Sequence, residues 1–199
     1  MSLAARSLLV FLPFLCFAQT PRPVIGPFGV MHGASLQTYS LRWFDSPAGI
    51  APGSIFLLKG AYLGPDDLAQ GVAPYGLRLP DIPGGTEVHV RSLVTGEVHQ
   101  ARIVHAWSFQ VAAILPEDFP LGAAEAQVWH GGQASDPAEF PVVRSWPGLF
   151  TRSQDGSGAG IIQNWESPAD LPLNGLTHSA KPGQYIILWG TGLGEARTD

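Results

Sequence analysis

One stretch of this chain occurs twice, 130 positions apart. Pro52-Gly53-Ser54-Ile55-Phe56-Leu57-Leu58-Lys59-Gly60-Ala61-Tyr62-Leu63-Gly64 returns as Pro182-Gly183-Gln184-Tyr185-Ile186-Ile187-Leu188-Trp189-Gly190-Thr191-Gly192-Leu193-Gly194. Six of the thirteen positions are identical, and the apolar run between the glycines is kept. The lead-in recurs too, Gly29-Val30-Met31-His32-Gly33 being echoed by Gly160-Ile161-Ile162-Gln163-Asn164 at an offset of 131. A strand-and-turn signature repeated at this distance predicts modules, each needing neighbours to bury its apolar face. The second copy is therefore expected to be the start of a further, truncated module.

The N-terminus reads as an export signal. Arg6 supplies a positive n-region, Leu8 to Phe17 an apolar stretch, and Cys16-Phe17-Ala18 the small residues of a cleavage site. That stretch falls short of the roughly 20 residues that span a bilayer. A lipid anchor on Cys16 is the competing reading, disfavoured because Leu15 stands where a small residue would be needed. Cys16 is the single cysteine, so a cleaved chain has neither disulfides nor thiol chemistry. Such a secreted protein must rely on its packed core.

Eleven basic residues against sixteen acidic ones give a net charge of −5, and the only lysines are Lys59 and Lys181. A basic nucleic-acid footprint and a polybasic membrane patch are both excluded. The 24 glycines and 18 prolines fit many short strands joined by tight turns.

Strand patterns begin after Ile50. Ile55 to Leu58 is a short apolar run between Pro-Gly and Gly, and Glu87-Val88-His89-Val90-Arg91 alternates with its valines inward. Thr95-Gly96 marks a turn. Ala101 and Ile103 continue inward, opposed by Gln100 and Arg102. Phe109, Val111, Ala113 and Leu115 are predicted to share one face. Ala124, Ala126 and Val128 share another, opposite Glu125, Gln127 and Trp129; Gly131-Gly132 then turns the chain toward Phe140 to Val143. No amphipathic helix is visible. The expected architecture is all-β: an immunoglobulin-like antiparallel β-sandwich over 49–144. It would follow a signal peptide (1–18) and a leader (19–48), and precede a connector (145–180) and the first strand of the truncated module (181–199). A lone strand at 182–189 is expected to be poorly ordered or edge-paired.

The residues offer little chemistry. Gly190-Thr191-Gly192-Leu193-Gly194 resembles a dinucleotide loop, but Tyr62 replaces its middle glycine in the first copy and no helix follows either. Gly156-Ser157-Gly158-Ala159-Gly160 reads as a flexible connector. Histidines at 32, 89, 99, 105, 130 and 178 stand singly and are expected on solvated strands. His89 and His99 would at most meet across a hairpin, short of the four ligands of structural zinc. No nucleophile elbow or HExxH helix occurs. Asp66-Asp67 and Glu117-Asp118 are adjacent pairs, whereas a glycosidase needs two carboxylates across a cleft. No cofactor is expected. Trp107 and Trp129 are the candidate ligand-contacting residues, because exposed indoles stack on sugars or anchor partners; the alternative is that they cover intramolecular contacts. Trp189 is expected to pack within its strand and Trp146 to fix the connector.

Several of these segments together resemble a family of uncharacterised secreted bacterial proteins carrying IPT/TIG-like immunoglobulin modules near their C-terminal ends. The resemblance is carried by the lead-in, Ala51 to Ile55, Gly60 to Gly64, Gln110-Val111 through Pro116, and Trp129-His130-Gly131-Gly132. Pro147 to Thr151 and Ala180 to Gly183 running into Gly192-Leu193-Gly194 extend it over roughly residues 29–199. One departure is Ala112, where the family carries asparagine. The resemblance implies the fold and export, and no catalytic residues.

The function expected is a non-catalytic extracellular binding or spacer module, secreted or at the cell surface, meeting a glycan or an extracellular protein. The alternative is an accessory glycan-binding module of a secreted carbohydrate-active enzyme. A hydrolase acting by itself ranks third, since no residues point to it.

Overall fold

Alternation of small aliphatic and polar residues builds a curled antiparallel sheet. The computed structural model describes residues 21–39 and 48–194; the expected signal peptide lies outside them. In chain order the strands begin with β1 (Val24–His32), β2 (Ile55–Ala61), β3 (Ala69–Gln70), β4 (Arg78–Leu79), β5 (Thr86–Ser92), β6 (Val98–Trp107) and β7 (Gln110–Ile114). They continue with β8 (Gly122–His130), β9 (Gln133–Ala134), β10 (Ala138–Val142), β11 (Gly148–Leu149), β12 (Ile162–Asn164), β13 (Ile186–Leu188) and β14 (Gly190–Thr191). No helix occurs among the described residues.

The main sheet runs β1-β2-β7-β6-β5-β8-β10, with β3 on β6, β4 on β5 and β9 on β8. It folds over on itself as a β-sandwich. Phe56 of β2 and Phe140 of β10 stack across the core with ring centroids 5.9 Å apart. Val88, Val90, Ala101, Ile103, Val111, Ala113, Ala124, Ala126 and Val128 fill the space around them, all buried. The inward alternation of β5, β6 and β8 is therefore as expected. An extra residue, Val104, bulges from β6 between the pairs Ile103–Ala113 and His105–Ala112 and bends the strand.

Phe109 departs from its predicted face. It lies with Ser108 in the two-residue turn joining β6 to β7, where its carbonyl accepts from Gly60 N–H at 3.0 Å, and its side chain is exposed. Val111, Ala113 and Leu115 are buried as predicted, and Ala112 between them is buried as well.

The segment read as a leader contributes a strand of the sandwich. β1 pairs with β2 through Val24–Ala61 and Ile25–Gly60 and, beyond a bulge between Ile25 and Val30, through Val30–Leu58, Met31–Leu57 and His32–Phe56. Its prolines sit outside that ladder.

Of the two outcomes expected for the C-terminal strand, poor order or edge pairing, the structure gives edge pairing. Residues 186–188 pair with β12, and Gly190-Thr191 pair with Leu149 and Gly148. The partners come from the segment read as a connector, whose backbone supplies the hydrogen bonds the strand needs. Gly190 permits this close approach: a Cβ there would stand 2.6 Å from the Gly148 carbonyl oxygen. Trp189, expected to pack, is half exposed, its indole N–H donating to Gln163 Oε1 at 2.7 Å.

His32 is the other correction to the solvated-histidine expectation, being wholly buried. Its Nδ1 accepts from Ser35 N–H at 3.1 Å and Ala34 N–H at 3.3 Å, so the proton belongs on Nε2. Cβ atoms at Gly148 or Gly192 would collide with its ring, so both positions must be small.

Candidate functional site

The outward face of β4, β5, β6 and β8 gathers the polar side chains that their inward neighbours exclude from the core. Register puts Glu87 opposite both Arg78 and Trp129, His89 opposite Gln100 and Gln127, and Arg91 opposite Glu125. Cross-strand neighbours at this spacing interact directly.

Glu87 is the hub. Arg78 Nε donates to its Oε1 at 2.6 Å and Gln100 Nε2 to its Oε2 at 2.9 Å; His89 Nε2 lies 3.1 Å from the same Oε2. Burial pulls the Glu87 carboxyl upward, but hydrogen bonds from His89 and Arg78 and the guanidinium charge outweigh it, holding it below its ordinary value. Gln100 Nε2 also lies 3.0 Å from His89 Nε2. With its proton on Nδ1, the His89 ring accepts from Gln100 at Nε2, and with its proton on Nε2 it donates to Glu87, so one nitrogen serves either neighbour.

Trp129 borders this network. Its indole meets the His89 imidazole at a centroid distance of 5.6 Å and a tilt of 33°, leaving the tryptophan 38% exposed. On the other side, a groove of about 560 Å³ is lined by Gly71, Val72, Leu77, Arg78, Glu87 and Gln100 among others. Its wall is the 70–79 loop, tied to β6 by Gly71 N–H to Val104 O at 2.8 Å and Ile103 N–H to Gly76 O at 2.8 Å. Cis peptides precede Pro74 and Pro80 in this stretch. The result is a shallow surface with one aromatic plane, a fixed carboxylate, a guanidinium and an amide.

Trp107 is placed elsewhere. It ends β6 and meets Phe109 edge-on at 6.0 Å, and the two tryptophans make no ring contact with each other. The structure thus gives Trp129 polar neighbours and Trp107 an apolar one. His89 and His99 do not face one another: His99 pairs with Val90 and packs edge-on against Phe119 at 5.2 Å. His130 Nδ1 lies 3.2 Å from Thr86 Oγ1, and His105 Nε2 lies 2.9 Å from Gln110 Nε2. Among the described residues no cluster of three or more His, Cys, Asp or Glu side chains could hold a metal ion. The carboxylates of Asp66, Asp67, Glu117 and Asp118 are exposed on turns.

Sequence reasoning picked out Trp129 but missed Arg78, Glu87, His89 and Gln100 as its companions. The signal for three of them was present, since Glu87, His89 and Gln100 oppose inward residues on strands whose faces were assigned. Arg78 lay in a loop-like stretch with no periodicity to place it.

Comparison with protein-family models, with curated proteins and with solved structures finds no match. The resemblance to the IPT/TIG-bearing family rests on its motifs alone.

Proposed function

We propose that this chain is a non-catalytic extracellular binding module of immunoglobulin-like type, and that its ligand is a glycan held on the Trp129 face. The observation that carries this reading is the indole of Trp129 lying over His89 beside the Arg78–Glu87–Gln100 network. Sugar rings offer an apolar C–H face and a rim of hydroxyls. An exposed aromatic plane suits the first, and an anchored carboxylate, amide and guanidinium suit the second. Such hydroxyl-binding groups work best when already fixed, as Glu87 is by three neighbours.

Export through residues 1–18 and membership of the IPT/TIG-bearing family are parts of the same reading. So is a tandem arrangement in which residues after Lys181 open a second module. Shared backbone geometry supports the last point: Gly53 and Gly183 take φ of 73° and 82°, and Tyr62 and Gly192 take 58° and 95°. The role as an accessory module of a carbohydrate-active enzyme is the narrower version of the glycan reading.

Affinity electrophoresis tests it. In gels cast with soluble plant or bacterial polysaccharides, the chain should be retarded by at least one of them. Trp129→Ala should run faster in that gel and unchanged in a blank one. A folded chain unretarded by any glycan would move the reading to a protein partner.

A further inference from the structure

β13 presents an open edge. β12 occupies one side of it, through Ile162–Leu188, Gln163–Ile187 and Asn164–Ile186, and among the described residues no further strand joins this two-stranded sheet. Backbone groups alternate in direction along a strand. Tyr185 O accepts from Trp165 N–H and Trp189 N–H donates to Ile161 O, so residues 185, 187 and 189 turn toward β12. Ile186 and Leu188 therefore turn their N–H and C=O groups to the other side, where no backbone group of the described residues meets them.

β2 shows what fills the corresponding place. It lies between β1 and β7. Ile55 O accepts from Gly33 N–H on the β1 side, while Ser54 O and Gly60 N–H bond to Leu115 and Phe109 on the β7 side. The direction of bonding thus matches position for position along Pro52–Gly64 and Pro182–Gly194. β7 covers β2 with the pairs Ile55–Ile114, Phe56–Ala113, Leu57–Ala112, Leu58–Val111 and Lys59–Gln110. Phe56 and Leu58 are 0% exposed, whereas Ile186 and Leu188 are 47% and 53% exposed. An open edge flanked by exposed aliphatic side chains is a template for strand addition.

We infer that the β13 edge is a strand-addition site for an extended segment of small aliphatic residues patterned like Gln110–Ile114, docking antiparallel to Tyr185–Trp189. This chain's own β7 is held between β2 and β6, so the occupant is an extended segment of a partner protein. Main-chain bonds to Ile186 and Leu188 would supply affinity, and small side chains would supply fit.

The probe is a synthetic peptide spanning residues 109–116 of this chain, added to the isotope-labelled full chain and followed by amide NMR. Saturable shifts should concentrate at Ile186 and Leu188, with hydrogen exchange of both amides slowed about tenfold. Leu188→Pro removes the outward N–H while leaving the β12 ladder intact, and should abolish the response. Ile186→Asp is a second variant should the proline disturb the hairpin, with the same loss expected. The inference is overturned if the peptide leaves these amides unchanged or if its binding survives both variants. It is equally overturned if the two amides are already protected by concentration-dependent self-association of the chain.

Discussion

The backbone N–H of Ile55, where β2 begins, donates to Oγ1 of Thr191 at 2.8 Å, joining positions 136 residues apart. The carbonyl of Gly192 accepts from Trp146 N–H at 2.7 Å just beyond it. The C-terminal hairpins are therefore tied into the first sandwich through specific polar contacts. Thr191→Val keeps the shape and removes the acceptor, leaving a part-buried N–H unsatisfied. We expect a loss of about 1 kcal/mol, seen as a drop of about 3 °C in the thermal midpoint. An unchanged midpoint would mean the contact is replaceable by water.

Gly192 separates steric from conformational demand. Its φ of 95° is in the region favouring glycine, and a Cβ would strike the Trp146 carbonyl and stand 2.7 Å from His32 Nε2. Gly192→Ala should therefore destabilise the hairpins and speed amide exchange across 186–192. Gly175→Ala, where an added Cβ meets nothing, should leave exchange there unchanged.

The Phe56–Phe140 stack joins the two halves of the sandwich. Truncating either to alanine should cost about 3–5 kcal/mol. The double variant should cost less than the sum, because the second truncation removes a ring that has already lost its partner. Urea unfolding of the four proteins checks this, and strict additivity would argue against direct coupling.

Stability should fall as the solution is acidified from pH 8 to pH 5. Burial lowers the histidine pKa at His32, His105 and His130, though the Trp146 carbonyl partly opposes it at His32 and Asp66 at His130. In the unfolded chain these groups take up protons near their ordinary value of about 6.5. The folded protein resists until lower pH, so below that value the unfolded state binds more protons and is favoured. Glu87 works in the same direction only at more acid pH, its depressed carboxyl losing its stabilising charge as it protonates. Urea midpoints across this range should decline most steeply around pH 6.5–5.5, the region set by that reference value. His32→Gln should be less stable at pH 8 and show a shallower decline.

Legibility in the sequence followed the range of the contacts. The inward faces of β5 and β8 were readable because Val88, Val90, Ala124, Ala126 and Val128 alternate with polar residues. β1 was hidden by Pro23 and Pro27 and by its bulge, and β11 and β12 by the Ser, Gly and Asn around them. Those strands exist because β2 and β13-β14 need partners, which local pattern does not report. His32 was misplaced for the same reason: its burial comes from Gly148 and Gly192, more than a hundred residues later. At the site, Trp129 was legible from alternation, while its union with Arg78 depends on how the 70–79 loop lies on β6.

The most direct test of the account is a broad glycan array probed with the folded chain, Trp129→Ala and Trp107→Ala in parallel. The account predicts specific retention by the unaltered chain, its loss in Trp129→Ala, and its survival in Trp107→Ala. Retention lost only in Trp107→Ala, or absent for the folded chain on every glycan, would contradict it.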